Sequence, residues 1–289
     1  MTAGKGAKAR IGASKPAARS LPRPATTGNP LREEIRDGIA VVTLDRPAQR
    51  NSLSEGLITD LRQAVDRVSA DAAVKAVVIA STGAAFSAGH DLKELTARRS
   101  DPDGGRAYYA HMMDICAAMM LAIVRSPKPF IAAVEGVATA AGCQLVATCD
   151  LATAGAAARF ATPGVNIGLF CSTPMVALSR NVPRKRAMEM LLLGEMLSAE
   201  EAAAYGLVNR VVPEGQARDA ALAMASQIAA KSPATVAIGK ATFYAQLEAP
   251  LAGAYKEAAR VMVENMMYAD AKEGIGAFVE KRDPKWTGC

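Results

Sequence analysis

Two short stretches hold the residue types from which a reaction centre could be built: "AAFSAGHDL" (84–92) and "GVATAAGCQL" (136–145). Each follows a continuous apolar run, "VKAVVIAS" and "FIAAV", of the kind found in strands buried on both faces. Small residues after parallel strands leave backbone N–H groups free to face a ligand. Gly142 stands at the start of a predicted helix, where the first amides lack partners and the helix dipole favours negative charge. Two such turns side by side would place two N–H donors on one oxygen, which is an oxyanion hole. The same Gly/Ala pattern also serves plain tight packing of strand against helix. Gln144, next along that predicted helix, carries an amide, which neither takes nor gives a proton at ordinary pH.

Other side chains near these turns have a structural reading beside the functional one. His90 can contact a ligand as a neutral donor or simply pack the loop, and Asp91 suits a cap or brace. Glu135 closes a strand near the candidate site. Cys143 and Cys171 read as buried thiols, whether or not they line a pocket. With only two histidines a histidine-rich metal site is excluded and a Ser/His/Asp triad is hard to assemble.

The elements that must position these turns alternate. "LREEIRDGIAVVTLDRP" reads as two strands joined by an Asp37–Gly38 hairpin turn. In "NSLSEGLITDLRQAVDRVSAD", Ser52 and Glu55 have capping-box spacing, and Leu53, Leu57, Leu61, Val65 and Val68 share a helical face. The stretch around "RRSDPDGGR" has the composition of a mobile surface segment. Residues 106–125 form a Met- and Ala-rich helix whose methionine stripe suits the core. Further on, "PRKRAMEMLLLG" and "SAEEAAAYG" are helices, the second opened by a Ser198/Glu201 capping box, and "LVNRVV" is a strand. The remainder is helical, over 217–231, 236–246, 251–267 and 272–281. Strands alternating with helices make this an α/β chain.

Bulk properties narrow the partners. The chain has 289 residues, 51% of them hydrophobic, enough for a sizeable core. Its formal charge is +6, but six basic residues (Lys5, Lys8, Arg10, Lys15, Arg19 and Arg23) lie in the first 30 positions with no acid among them. Without them, 28 of the 34 Lys and Arg remain against 28 Asp and Glu, so the folded part is neutral. Nucleic-acid binding normally needs a basic patch on the domain itself, and only 4% of residues are aromatic, so that class is set aside. The tail reads as disordered, either a bacterial extension or an organellar presequence, which makes the compartment cytoplasmic or the mitochondrial matrix respectively. Five cysteines without a CxxC pair suit reduced thiols. No stretch reads as a membrane span of about 20 apolar residues.

The motifs "AFSAGHDLKEL", "AAVEGVATAAGCQLVATCDLATA" and "FATPGVNIGLF", with "AEEAAAYGLVNRVVP" and the closing "EGIGAFVEKRDPKW", resemble the crotonase, or enoyl-CoA hydratase/isomerase, superfamily from about Glu33 to about Trp286. The resemblance implies a spiral of ββα turns over 31–212 and a helical C-terminal region, 213–289, that builds homotrimers or hexamers. It implies an acyl-CoA thioester ligand, with coenzyme A as part of the substrate and no separate cofactor or metal. Carried over by position, the thioester oxygen lies between the N–H groups of Ala88 and Ala141, and the ligand rests against Ser87, Ala88, Gly89, His90, Asp91, Ala141 and Gly142. Lys281, with Arg282, corresponds to a basic turn that can reach the CoA phosphate, or is simply a solvated end.

Two departures bear on the reaction. Gln144 and Gly164 stand at the positions of the glutamate pair that activates water and protonates the α-carbon in typical hydratases. Losing one positioned acid–base group costs roughly 10²–10⁴ in rate, and here two are gone. Three functions follow: a lyase- or isomerase-type enzyme stabilising an enolate without standard hydration, a non-catalytic acyl-CoA-binding protein, or an RNA-binding relative, which the neutral folded part disfavours.

Overall fold

The computed structural model describes residues 30–289. The reading of a disordered tail therefore lies outside the described residues, apart from Pro30.

The chain opens with the hairpin β1 (Leu31–Arg36) and β2 (Ile39–Leu44). Asp37 and Gly38 both have positive φ, 52° and 77°, as a two-residue turn matched to strand twist requires. Helix α1 (Glu55–Ala70) follows, capped by Ser54, whose hydroxyl accepts from Leu57 N–H. The expected cap at Ser52 is therefore corrected. Ser52 donates instead to the Asp91 carboxylate, because the preceding segment is tied to the 88–91 loop.

Three ββα turns then succeed one another. In the first, β3 (Ala76–Ser81) and β4 (Ala85–Ser87) lead into α2 (Leu92–Ala97) and α3 (Arg106–Arg125). In the second, β5 (Phe130–Val134) and β6 (Val137–Thr139) lead into α4 (Ala141–Thr148). In the third, β7 (Leu151–Gly155) and β8 (Arg159–Ala161) lead through a 3-10 turn, Pro163–Ile167, into α5 (Pro174–Asn181). After α6 (Arg184–Leu193) come β9 (Leu197–Ser198), α7 (Ala199–Ala204) and β10 (Arg210–Val212). The chain ends with α8 (Ala217–Ala229), α9 (Pro233–Leu247), α10 (Leu251–Met266) and α11 (Ala269–Glu280).

The long strand of each turn joins a six-stranded sheet, β1-β2-β3-β5-β7-β10, parallel except for the opening hairpin. The short strand joins a second sheet, β4-β6-β8-β9, in which β4, β6 and β8 run parallel. The main core fills the space between the sheets and α1, α3 and α4, with Met112, Met119 and Ile123 fully enclosed. The outer face of the large sheet (Ile39, Val41, Val78, Ile131) is covered by Ala221, Met224 and Ala225 of α8. A boundary at 212/213 thus falls before a helix that packs on the sheet.

Two segments take a more definite form than their sequence reading. The 98–105 stretch is a defined turn: Gly104 and Gly105 have positive φ, and the Asp103 carboxylate accepts from the Gly105 and Ala107 amides. Helix α3 is long and apolar enough to cross a membrane, with mean hydropathy 1.5, where the sequence suggested no such stretch. It packs against α1 as a core helix instead.

Candidate active site at the strand ends of the small sheet

The C-terminal ends of three adjacent parallel strands meet here, the place where α/β folds gather ligand-binding loops. The first loop, after β4, is held by a single parallel bridge. Leu53 N–H donates to the Gly89 carbonyl at 2.8 Å, and Asp91 N–H donates to the Leu53 carbonyl at 3.3 Å. In a parallel bridge the residue between those two partners turns its own N–H away. That residue is His90, whose amide carries no hydrogen bond among the described residues.

The Ala88 amide, in contrast, donates to the Arg50 carbonyl at 3.0 Å. Ala88 is therefore corrected as an oxyanion donor, because its N–H is committed to the scaffold. Ser87, fully buried, donates to the Asn51 carbonyl and accepts from Gly89 N–H. Asp91 caps α2 through Lys93 and Glu94 amides, in keeping with a bracing role.

The second loop delivers α4. Ala141 is its first residue, so its N–H has no intrahelical acceptor. Gly89 lies against this helix start at φ 85°, and a β-carbon there would sit 2.9 Å from Ala140 Cβ and 3.2 Å from Ala141 N. A β-carbon at Gly142 would sit 2.2 Å from the Ser87 carbonyl oxygen, so only glycine lets α4 approach β4 this closely. The two glycines bring the unbonded amides of His90 and Ala141 onto neighbouring loops. Ala140 bears the strain of the bend, with φ 50° and ψ −120°.

Gln144 lies one turn into α4, buried, its backbone N–H bonded to the Ala140 carbonyl at 3.0 Å. Its side-chain Oε1 is buried without a partner among the described residues, as are His90 Nε2 and Thr162 Oγ1. Burial pushes the His90 imidazole below its ordinary value, so the ring is neutral. Thr162 follows β8, and sequence reading passed it over. Its signal is a hydroxyl at the end of a strand whose two parallel neighbours already carried candidate loops.

Gly164 is buried in the 3-10 turn. A β-carbon there would meet the Leu169 carbonyl oxygen at 2.7 Å and Cys171 Sγ at 2.9 Å. A side chain at this position is thus opposed from its first atom by the chain itself. Burial pushes the Cys143 thiol up to about 12, with the neighbouring Cys171 adding to it. Cys171 is also raised by burial, against a hydrogen bond from the Gly164 backbone.

The remaining candidates serve the frame. Glu135 accepts from the Ala217 amide at 2.9 Å and so caps α8. Asp150 accepts from Phe130 N–H, Lys240 Nζ and Tyr244 Oη at 2.7 to 2.8 Å. Lys281 ends α11, which packs mainly on α9 and α10, so the described residues do not bring it to the strand ends. Among the described residues no three His, Cys, Asp or Glu side chains group as a metal site.

Comparison with known proteins agrees with this architecture. Residues 34–289 match the family model described as "Enoyl-CoA hydratase/isomerase". The rat protein named enoyl-CoA hydratase domain-containing protein 3, mitochondrial, is 48% identical over 252 residues, which is 87% of this chain and 82% of the relative. The human protein of that name is 46% identical over 251 residues, covering 87% of this chain and 81% of its own length. Its crystal structure superposes with a TM-score of 0.85 over 89% of this chain and all (100%) of the other. An enoyl-CoA hydratase crystal structure from Mycobacterium smegmatis is 51% identical, with TM-score 0.85 over 90% of this chain and 99% of that one. A matching family model over most of the chain, on a spiral of ββα turns, places this protein in the enoyl-CoA hydratase/isomerase family, with the crotonase fold.

Proposed function

We propose that this protein binds an acyl-CoA thioester with the carbonyl oxygen between the N–H groups of His90 and Ala141, and that it stabilises the enolate formed there. The observation that carries the reading is this pair of unbonded amides, one of them at a helix start, on adjoining loops pressed together at Gly89. Each donor to such an oxygen is worth roughly 10²–10³ in rate. Coenzyme A enters as part of the substrate, and the chemistry needs no metal.

Ordinary hydration lacks its acid–base pair. Gln144 cannot act as a base, and Gly164 offers no side chain and no room for one. Reactions asking less of the protein fit better: decarboxylation, thioester hydrolysis or substrate-assisted isomerisation. A non-catalytic acyl-CoA-binding role is the second reading, favoured by the neutrality of both substituted positions. The rat and human relatives are named as mitochondrial, which favours the matrix for a chain whose basic tail is a presequence.

The test is a panel of CoA thioesters scored for both binding and turnover. Crotonyl-CoA should bind, with hydration at least about 100-fold below that of a relative carrying both glutamates. Hydration at full hydratase rate, or no affinity for any thioester, would overturn the proposal.

A further inference from the structure

A second concavity lies at the N-terminal end of the large sheet. Pro129, Leu151 and Arg210 stand where β5, β7 and β10 begin, and these strands are neighbours in that sheet. With Met224 and Ile228 of α8, and Lys231 just beyond it, they line a cavity of about 450 Å³. That volume falls within the roughly 300–1,000 Å³ of small-ligand sites. The five residues of β5, about 16 Å of extended chain, separate it from the Glu135–Gly136 turn that leads on to β6 and α4. It shares no residue with the strand-end site.

Its walls are of two kinds. Leu151, Met224 and Ile228 belong to the apolar layer between the large sheet and α8, so the floor is core left partly uncovered. Arg210 and Lys231 are exposed, and no Asp or Glu lines the cavity. Neither cation has a side-chain hydrogen bond or ion pair among the described residues. Elsewhere in the C-terminal half Arg180, Arg218, Arg260 and Arg282 each sit within 3.4 Å of a carboxylate oxygen. Asp150, which adjoins Leu151 in sequence, is already engaged by Lys240.

These features together select an amphipathic anion. An apolar chain laid on the floor removes its own surface and that of the wall from water together. The guanidinium fork matches the two oxygens of a carboxylate, and the Lys ammonium adds a second positive charge. A neutral chain would leave both cations without a partner, and a cationic one would be repelled.

We infer that this cavity binds an aliphatic carboxylate, its chain on Leu151, Met224 and Ile228 and its head between Arg210 and Lys231. The inference is independent of the thioester reading.

The experiment is titration of octanoate into the purified full chain, followed by calorimetry and by the methyl signal of Met224, assigned with Met224→Leu. Octanoate should saturate the site, move that signal, and bind about tenfold or more tighter than octanol, a factor equal to about 1.4 kcal/mol. Octylamine should bind more weakly still. Arg210→Gln combined with Lys231→Gln, both exposed positions, should lower octanoate affinity to the level of octanol while circular dichroism stays native. Saturating butyryl-CoA should leave octanoate binding in place. Equal affinity for octanoate and octanol, or full octanoate affinity in the double variant, would overturn the inference. So would displacement by butyryl-CoA with the Met224 signal unmoved, which would put the acid at the strand ends instead.

Discussion

Ala140 is held at φ 50° and ψ −120°, a backbone region that a β-carbon opposes, directly before the helix whose first amide has no intrahelical acceptor. Such strain costs about 1–3 kcal/mol. Glycine relieves it at an entropic cost of about 0.5–1 kcal/mol. Ala140→Gly should therefore stabilise the fold by about 1 kcal/mol in chemical denaturation, and an unchanged or lower midpoint would contradict the strain. At Gln144 the expectation concerns chemistry. Gln144→Glu buries a carboxyl among neutral groups, which raises its pKa, and the closed position at Gly164 supplies no second acid. Hydration of crotonyl-CoA should stay at least about 100-fold below that of a two-glutamate relative, and full activity from this single change would show that one carboxylate suffices. Residue identities made Gln144 and Gly164 legible in the sequence. The unbonded amide of His90 was not, because the direction of an amide after β4 depends on Leu53, a contact 37 positions away from His90 that no local pattern carries.

Among the elements, α9 is fastened to the core by one buried ion pair. Lys240 Nζ donates to the Asp150 carboxylate at 2.7 Å and to the carbonyls of Ile123 and Lys128, and Tyr244 completes the Asp150 shell. Removing the cation leaves the largely buried Asp150 carboxylate with two neutral donors and no counter-charge, so Lys240→Met should cost about 3–5 kcal/mol, read as a lowered denaturation midpoint. A second fastening closes the C-terminus onto α11. Asp270 is 1% exposed, and burial would raise its pKa, but the Ser232 hydroxyl and the Thr287 and Gly288 donors hold it at about 2. A carboxyl held below its unfolded value of about 3.9 stabilises the fold fully above that value and loses the contribution as pH falls towards 2. The stability difference between the parent and Asp270→Asn should shrink between pH 5 and about 2.5; a constant gap would mean that the carboxylate charge contributes nothing. Periodicity and caps made most of these helices readable, the Ser198/Glu201 box among them. Neither fastening was readable, since each pairs residues at least 17 positions apart through side chains that look like ordinary surface polars.

For the whole molecule the apolar residues tell two stories that periodicity cannot separate. Those of α1 and α3 lie inside, whereas α10 and α11 leave Leu251, Tyr255, Met267, Phe278 and Val279 between 72% and 84% exposed. Large contiguous apolar faces are uncommon on soluble monomers and mark contact surfaces. A second copy of the chain is the occupant expected from a family whose resemblance implies homotrimers, and burying this face would remove the cost of exposing it to water. The purified protein should run as a trimer, or a pair of trimers, in light scattering at micromolar concentration. Phe278→Glu places a charge on the most exposed of these side chains (84%), where a free surface would tolerate it and an interface would not. It should shift the protein to smaller species without loss of helical signal. A parent that is monomeric across that range would show that the face is left open. In that case Lys281, one turn beyond Phe278 at the end of α11, could reach a CoA phosphate only within its own chain.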